Sequence, residues 1–217
     1  MSTHTIDVIR AFFRKNQPSP TGAEFRDWLD FLAWLISHLL NPAMVAWGVF
    51  TALVWLRGGA FVAGLAGVVF YSLVPGVALL YLYRTGMIAD VYLPERSQRA
   101  RLLPLGVAWY FAGLVVLWLV NAPTPMLGAG SAFCGMALLV WQIDRFWKIS
   151  IHATGVGGGL GIVLAAAGWS LWPLFLSLPL VMWARLRLQA HTPAQVWAGA
   201  ILGGAASSLL LNLFFTA

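Results

Sequence analysis

Residues Trp147–Gly159 read WKISIHATGVGGG. Lys148, Ser150 and His152 stand together and run straight into glycines, in a chain with only 9% charged residues. Apolar runs flank the stretch on both sides, 126–143 before it and 155–168 after it. Sixty per cent of all residues are hydrophobic and the mean hydropathy is +0.81. Soluble domains sit nearer half apolar and about a quarter charged. Several runs approach the ~20 apolar residues needed to cross a bilayer. WKISIH is therefore a loop between two membrane helices, and the chain reads as all-α, a polytopic transmembrane helix bundle of six or seven spans.

The spans are expected at 31–55, 59–83, 103–121, 126–143, 155–168, 171–184 and 194–215. Their breaks are Arg57-Gly-Gly, the charged stretch 84–101, NAPTP, Arg145 to Lys148, Trp169-Ser170 and RLRLQAHTP. A single helix over 155–184 would be about 45 Å long, too much for a hydrocarbon core of about 30 Å, and Pro173 favours a new helix start near Leu171. With 217 residues the chain holds one transmembrane domain, 31–217, behind a polar arm, 1–30. The arm lacks the apolar core of a cleaved signal peptide. It places Ile6, Ile9 and Phe13 on one face of a helix suited to the membrane surface.

With seven spans, twelve of the thirteen basic residues fall on the face that carries the arm, and only Arg57 lies opposite. The positive-inside rule makes that face cytoplasmic. All seven carboxylates share it, so the chemistry is expected at one membrane surface. The expected localisation is integral to a cell membrane, the bacterial inner membrane. A net charge of +6 without a soluble basic surface argues for lipid headgroups and phosphate ligands as partners, and against nucleic acid. Cys134 is alone and forms no internal disulfide.

Three polar stretches of that face carry the candidate site. Lys148, Ser150 and His152 lead into one helix; Arg185, Arg187 and His191 lead into another; Arg96, Arg99 and Arg101 lie upstream in DVYLPERSQRARLLP. The planar guanidinium donates in pairs and stays charged, which suits phosphate. A helix N-terminus favours anions, and glycines let backbone approach them. Two histidines beside a bound phosphate can divide the roles of nucleophile and general acid. Read as scaffolding instead, the glycine run is a helix-packing face, His38 a hydrogen-bond partner within or between helices, and Asp144 a helix-end charge beside Arg145.

The spacing Arg185-x5-His191, followed by the small-residue run VWAGAILGG, resembles the third signature of the type 2 phosphatidic acid phosphatase superfamily, Ser-Arg-x5-His-x3-Asp. SIHATG resembles the second, Pro-Ser-Gly-His, with Ser150 and His152 in its serine and histidine positions. The resemblance covers roughly 84–204. It implies that His191 attacks phosphorus to form a phosphohistidine and that His152 protonates the leaving lipid oxygen. It further implies that Arg185, Lys148, Ser150 and the arginines Arg96, Arg99 and Arg101 hold the phosphate oxygens, with neither metal nor cofactor. Backbone N–H groups near Gly155 would add donors. Gln195 stands where the family has the aspartate that orients the nucleophilic histidine, and no lysine lies seven residues before Arg96, Arg99 or Arg101. The expected activity is hydrolysis of a phosphorylated lipid: a prenyl or polyprenyl diphosphate, or a phosphatidate-like lipid. Two other classes remain open at this stage. One is a membrane prenyltransferase or terpene cyclase acting on a prenyl diphosphate, for which magnesium would need several carboxylates and this face offers only Asp90, Glu95 and Asp144 near the loops. The other is a non-catalytic protein that binds or transports lipid phosphates.

Overall fold

The structure, a computed structural model, describes residues 26–56, 58–88 and 96–215. The arm up to residue 25, Arg57, Asp90 and Glu95 lie outside the described residues, as does the side chain of Arg96. Among the described residues every element is helical. The elements are α1 (Trp28–Leu39), α2 (Pro42–Leu56), α3 (Phe61–Arg84), α4 (Arg96–Leu119), α5 (Thr124–Asp144), α6 (Ile151–Ala167), a 3₁₀ segment (Gly168–Leu176), α7 (Ser177–Arg187) and α8 (Pro193–Phe215).

Five helical runs are long and apolar enough to cross a membrane: α3, α4, α5, the run Ile151–Arg187 and α8. A sixth is added if α1 and α2, bent by 49° at their junction, count as one span. Large apolar side chains such as Trp55, Phe61, Leu105 and Trp118 face outward, as a bilayer requires.

The seven expected spans are thereby reduced to five or six. The segment expected as one straight helix over 31–55 is two helices, because Pro42 cannot continue α1 and Asn41 stabilises the break from both sides. Its side-chain amide donates to the His38 carbonyl at 2.6 Å, and its Oδ1 accepts from Met44 N–H at 3.0 Å. The segments expected at 155–168 and 171–184, a hairpin of two short helices, do form a hairpin but count as one candidate span, Ile151–Arg187, rather than two. The 17 residues of α6 reach about 25 Å and the 11 of α7 about 16 Å. Gly168, at φ 71°, ends α6 in a conformation that a side chain would strain, and Leu171 leaves helical geometry at φ −96°, ψ 21°. The chain then returns along itself: Ala153, Val156 and Leu160 of α6 share one core with Val181 and Met182 of α7.

In α3 a π-turn, Val69–Leu73, precedes Pro75, where the ring removes an amide from the helical ladder. Tyr71 in that turn is fully buried and donates its hydroxyl to the Tyr110 carbonyl of α4 at 2.9 Å, which joins the outer helices.

The closest packing is between α6 and α8, and it rests on glycine. A Cβ on Gly157 would stand 2.6 Å from the Ala200 carbonyl oxygen, and one on Gly199 would stand 2.6 Å from that of Ser150. Gly203 meets the backbone of Thr154 still more closely, and Gly158 faces Met136 of α5. Small residues let membrane helices approach backbone to backbone. The GVGGG run therefore serves as a packing face within α6, and Gly155 lies against Pro42 of α2. It is not an open loop around an anion.

Candidate active site

The connections preceding α6 and α8 open at one end of the bundle, and each is ended by a local signal. Ser150 caps α6, its Oγ accepting from Ala153 N–H at 3.3 Å. Pro193 sits at the first position of α8, where its missing amide costs nothing. The connections are tied to each other at two points. Ser150 N–H donates to the Gln195 carbonyl at 3.3 Å, and Lys148 Nζ donates to the Ala190 carbonyl at 3.1 Å. The glycine packing just described sets the two helix starts side by side, so His152 of α6 and His191 before α8 are held at the same end.

His152 is 8% exposed and Arg185, near the end of α7, 4%. Arg185 acts electrostatically on both His152 and His191, His191 also acts on His152, and Arg99 acts on His191. Lys148 acts on His191 as well. Burial, followed by Arg185 and Lys148, pulls the His191 imidazolium down to about 3 against the opposing hydrogen bond from Gln195. The Lys148 ammonium is lowered by burial, Arg99 and Arg185, with Asp144 working the other way. Burial leads both shifts and neighbouring positive charge adds to it, so an anion placed beside these groups would relieve the second part.

Gln195 fixes the chemistry of His191. Its Oε1 accepts from Thr192 N–H at 3.1 Å and lies 3.1 Å from His191 Nδ1. A backbone N–H can only donate, so the atom it meets is the amide oxygen, and His191 must donate through Nδ1. Nε2 is then the basic nitrogen. The amide thus sets the tautomer as a carboxylate would, without the negative charge that stabilises an imidazolium.

Of the expected phosphate ligands, Arg185 and Lys148 join the histidines, and Ser150 lies buried between the two helix starts with its oxygen used as a cap. Arg99 is differently engaged. It is 2% exposed and its Nη2 lies 2.8 Å from Asp144 Oδ1 and 3.0 Å from the Ile149 carbonyl, so it anchors the connection that presents Lys148 and Ser150. Asp144 ends α5 beside Arg145, as expected, and is in addition the buried partner of Arg99, while Arg145 reaches Gln142 at 3.1 Å. Arg101 is exposed on α4.

A fourth element was not foreseen at this site. Helix α1 lies across α7, and Arg187 bonds to Asp30 Oδ1 at 2.7 Å and to Asp27 Oδ2 at 2.5 Å. Asp27 also caps α1, accepting from Leu29 and Asp30 N–H at 3.0 Å each, and these bonds hold its carboxyl below the usual range. His38 donates Nδ1–H to Trp34 O at 2.9 Å, the hydrogen-bonding role expected of it, and its charge also acts on His152. The signal in the sequence was the polar cluster SHLLNP at a helix break, which periodicity alone does not assign to a partner helix.

Among the described residues no three His, Cys, Asp or Glu side chains gather to hold a metal ion. Comparisons with protein-family models, curated proteins and solved structures found no match for this chain.

Proposed function

We propose that this protein is an integral membrane lipid phosphatase or pyrophosphatase that works through a phosphohistidine, as the resemblance to the type 2 phosphatidic acid phosphatases implies. One observation carries the reading: His191, with Nδ1 held by Gln195, and His152 lie at adjacent helix starts under the shared influence of Arg185. His191 Nε2 attacks the terminal phosphorus, the bond from that phosphorus to the leaving oxygen breaks (the lipid oxygen of a monophosphate, the bridging oxygen of a diphosphate), and His152 gives that oxygen a proton. Water, deprotonated by His152, then attacks the phosphohistidine and releases phosphate. Arg185 and Lys148 stabilise charge on the transferring group. The substrate is a prenyl or polyprenyl diphosphate or a phosphatidate-like lipid, with its tail among the helices. The charge bias places the site and the arm at the cytoplasmic face of a bacterial inner membrane.

The test is phosphate release from prenyl diphosphates by purified protein in EDTA. His191→Ala and His152→Ala should each reduce it by at least about a hundredfold; turnover indifferent to both would end the proposal. Gln195 also motivates a second reading, a protein that binds lipid phosphates without turnover. Gln195→Asp separates the two, since restoring the charge should raise the rate of a hydrolase and create none in a binder.

A further inference from the structure

The buried residues of α1 are Asp30, Ala33 and Ser37, a spacing of three and four that forms one helical face. At one end of that face Asp30 bonds to Arg187 of α7. At the other, the backbone of Ser37 hydrogen-bonds His152, and the next residue, His38, acts electrostatically on the same ring. Pro42, just beyond the break, packs on Gly155 one turn further along α6. The Ser37 end of α1 is therefore seated on the candidate site.

Ser37 is 0% exposed and its Oγ has no hydrogen-bond partner. A serine inside a helix ordinarily returns its hydroxyl to the carbonyl four residues back, here that of Ala33. A buried hydroxyl left unsatisfied costs about 1–3 kcal/mol, so its retention beside a cationic pocket needs a reason. A bound phosphate supplies one. Its oxygens are acceptors only when ionised, and Ser37, whose backbone already bonds His152, carries a free neutral donor beside that ring.

We propose that Ser37 is a phosphate-binding residue, its Oγ–H donating to an anionic oxygen of the ligand held between His152 and His191, so that α1 completes the site as its fourth wall. This rests on the phosphate-site reading above and deepens it. The tie between Arg187 and the two aspartates then positions the wall, and the ligand contributes to closing α1 down.

The experiment is titration of the purified full chain with inorganic phosphate, read by calorimetry and by thermal melting. Ser37→Ala should weaken phosphate binding on the order of tenfold, as loss of a hydrogen bond to a charged group does. Its ligand-free melting temperature should stay level or rise, because an unsatisfied hydroxyl has gone. Ser72→Ala, which removes another buried hydroxyl without a partner, in the π-turn of α3, should leave phosphate affinity unchanged. Wild-type affinity in Ser37→Ala, or a lowered ligand-free melting temperature with no loss of affinity, would overturn the assignment while the phosphate site stood. A wild type that binds no phosphate would remove both. Should Ser37→Ala not fold, Ser37→Cys, which nearly keeps the volume, is read the same way: weaker binding supports the role and equal binding overturns it.

Discussion

Helices α6 and α8 are held together by what their residues lack, whereas α1 and α7 are held by what theirs carry. Along α6–α8, glycines remove side chains so that backbones touch, and an atom added at Gly157, Gly199 or Gly203 meets the backbone of the facing helix. Along α1–α7, Arg187 reaches Asp27 and Asp30 with side chains that stay partly open to solvent, 29% exposed for Arg187 and 42% for Asp27. The first contact has one geometry and no adjustment. The second depends on charge, salt and long side chains with several rotamers. A site built on both has a fixed floor, with the two histidines on it, and one wall that can be loosened.

The largest effect should come from beneath the floor. Arg99→Ala leaves the Asp144 carboxylate buried without its ion pair and should destabilise the protein by about 3–5 kcal/mol, seen in thermal melts of detergent-solubilised protein. A double replacement by apolar residues, Arg99→Met with Asp144→Leu, should recover most of that loss. If it does not, the ion pair holds the fold in a way apolar packing cannot replace; the phosphate role expected for Arg99 is tested separately, by the phosphate affinity of the double variant.

Next comes the glycine seam. Gly203→Val drives a side chain into the Thr154 backbone, and overpacking of this kind costs about 1–3 kcal/mol. The two helix starts should separate with it, so turnover should fall further than stability does. Gly204→Ala, one residue on and facing open space, should do neither. Equal behaviour of the two variants would mean that the seam does not hold the floor.

The charged clasp should respond more gently. Arg187→Gln should cost about 1 kcal/mol, since Arg187 and Asp27 are partly exposed and the buried Asp30 carboxylate keeps its pair with Arg26. It should raise KM with little change in kcat, and added salt should mimic it in the wild type. A loss as large as that of Gly203→Val would erase the contrast between the two regions.

The smallest and most specific effect is in pH. The unfolded chain takes up a proton on the His191 ring near pH 6.5, while the folded one resists to about 3. The folded state binds fewer protons in that window, so stability contributed by this group is complete above about pH 6.5 and falls as the pH drops towards 3. Inorganic phosphate should flatten the decline by compensating Arg185 and Lys148. Ring proton signals of His191 that titrate near pH 6.5 without any anion would show that the pocket is less positive than its geometry implies.

Much of this was readable from residue order. Long apolar runs broken by Arg57-Gly-Gly, NAPTP and RLRLQAHTP name helices and their ends, because a bilayer admits only backbone that satisfies itself. The pairing of SIH with Arg185-x5-His191 marked the two histidines and Arg185. The bend at Asn41 was not read, since an apolar window is blind to one proline. The hairpin at Gly168 and its two short helices were placed correctly but counted as two spans, because composition cannot say how far a short helix reaches. Asp144 looked like a neighbour of Arg145 because sequence shows adjacency, while its partner, Arg99, is 45 residues away.

The sequence by itself determined that the chain is helical and suited to a membrane, which residues are polar enough to form a site, and that they gather at one end. Hydropathy and helix-breaking chemistry act locally and are written in order along the chain. Only the tertiary structure decided which arginine meets a carboxylate and which stands by the histidines, and that α1 turns back over them. Those choices depend on distances between residues far apart in sequence, set by how closely glycine-bearing backbones can pack.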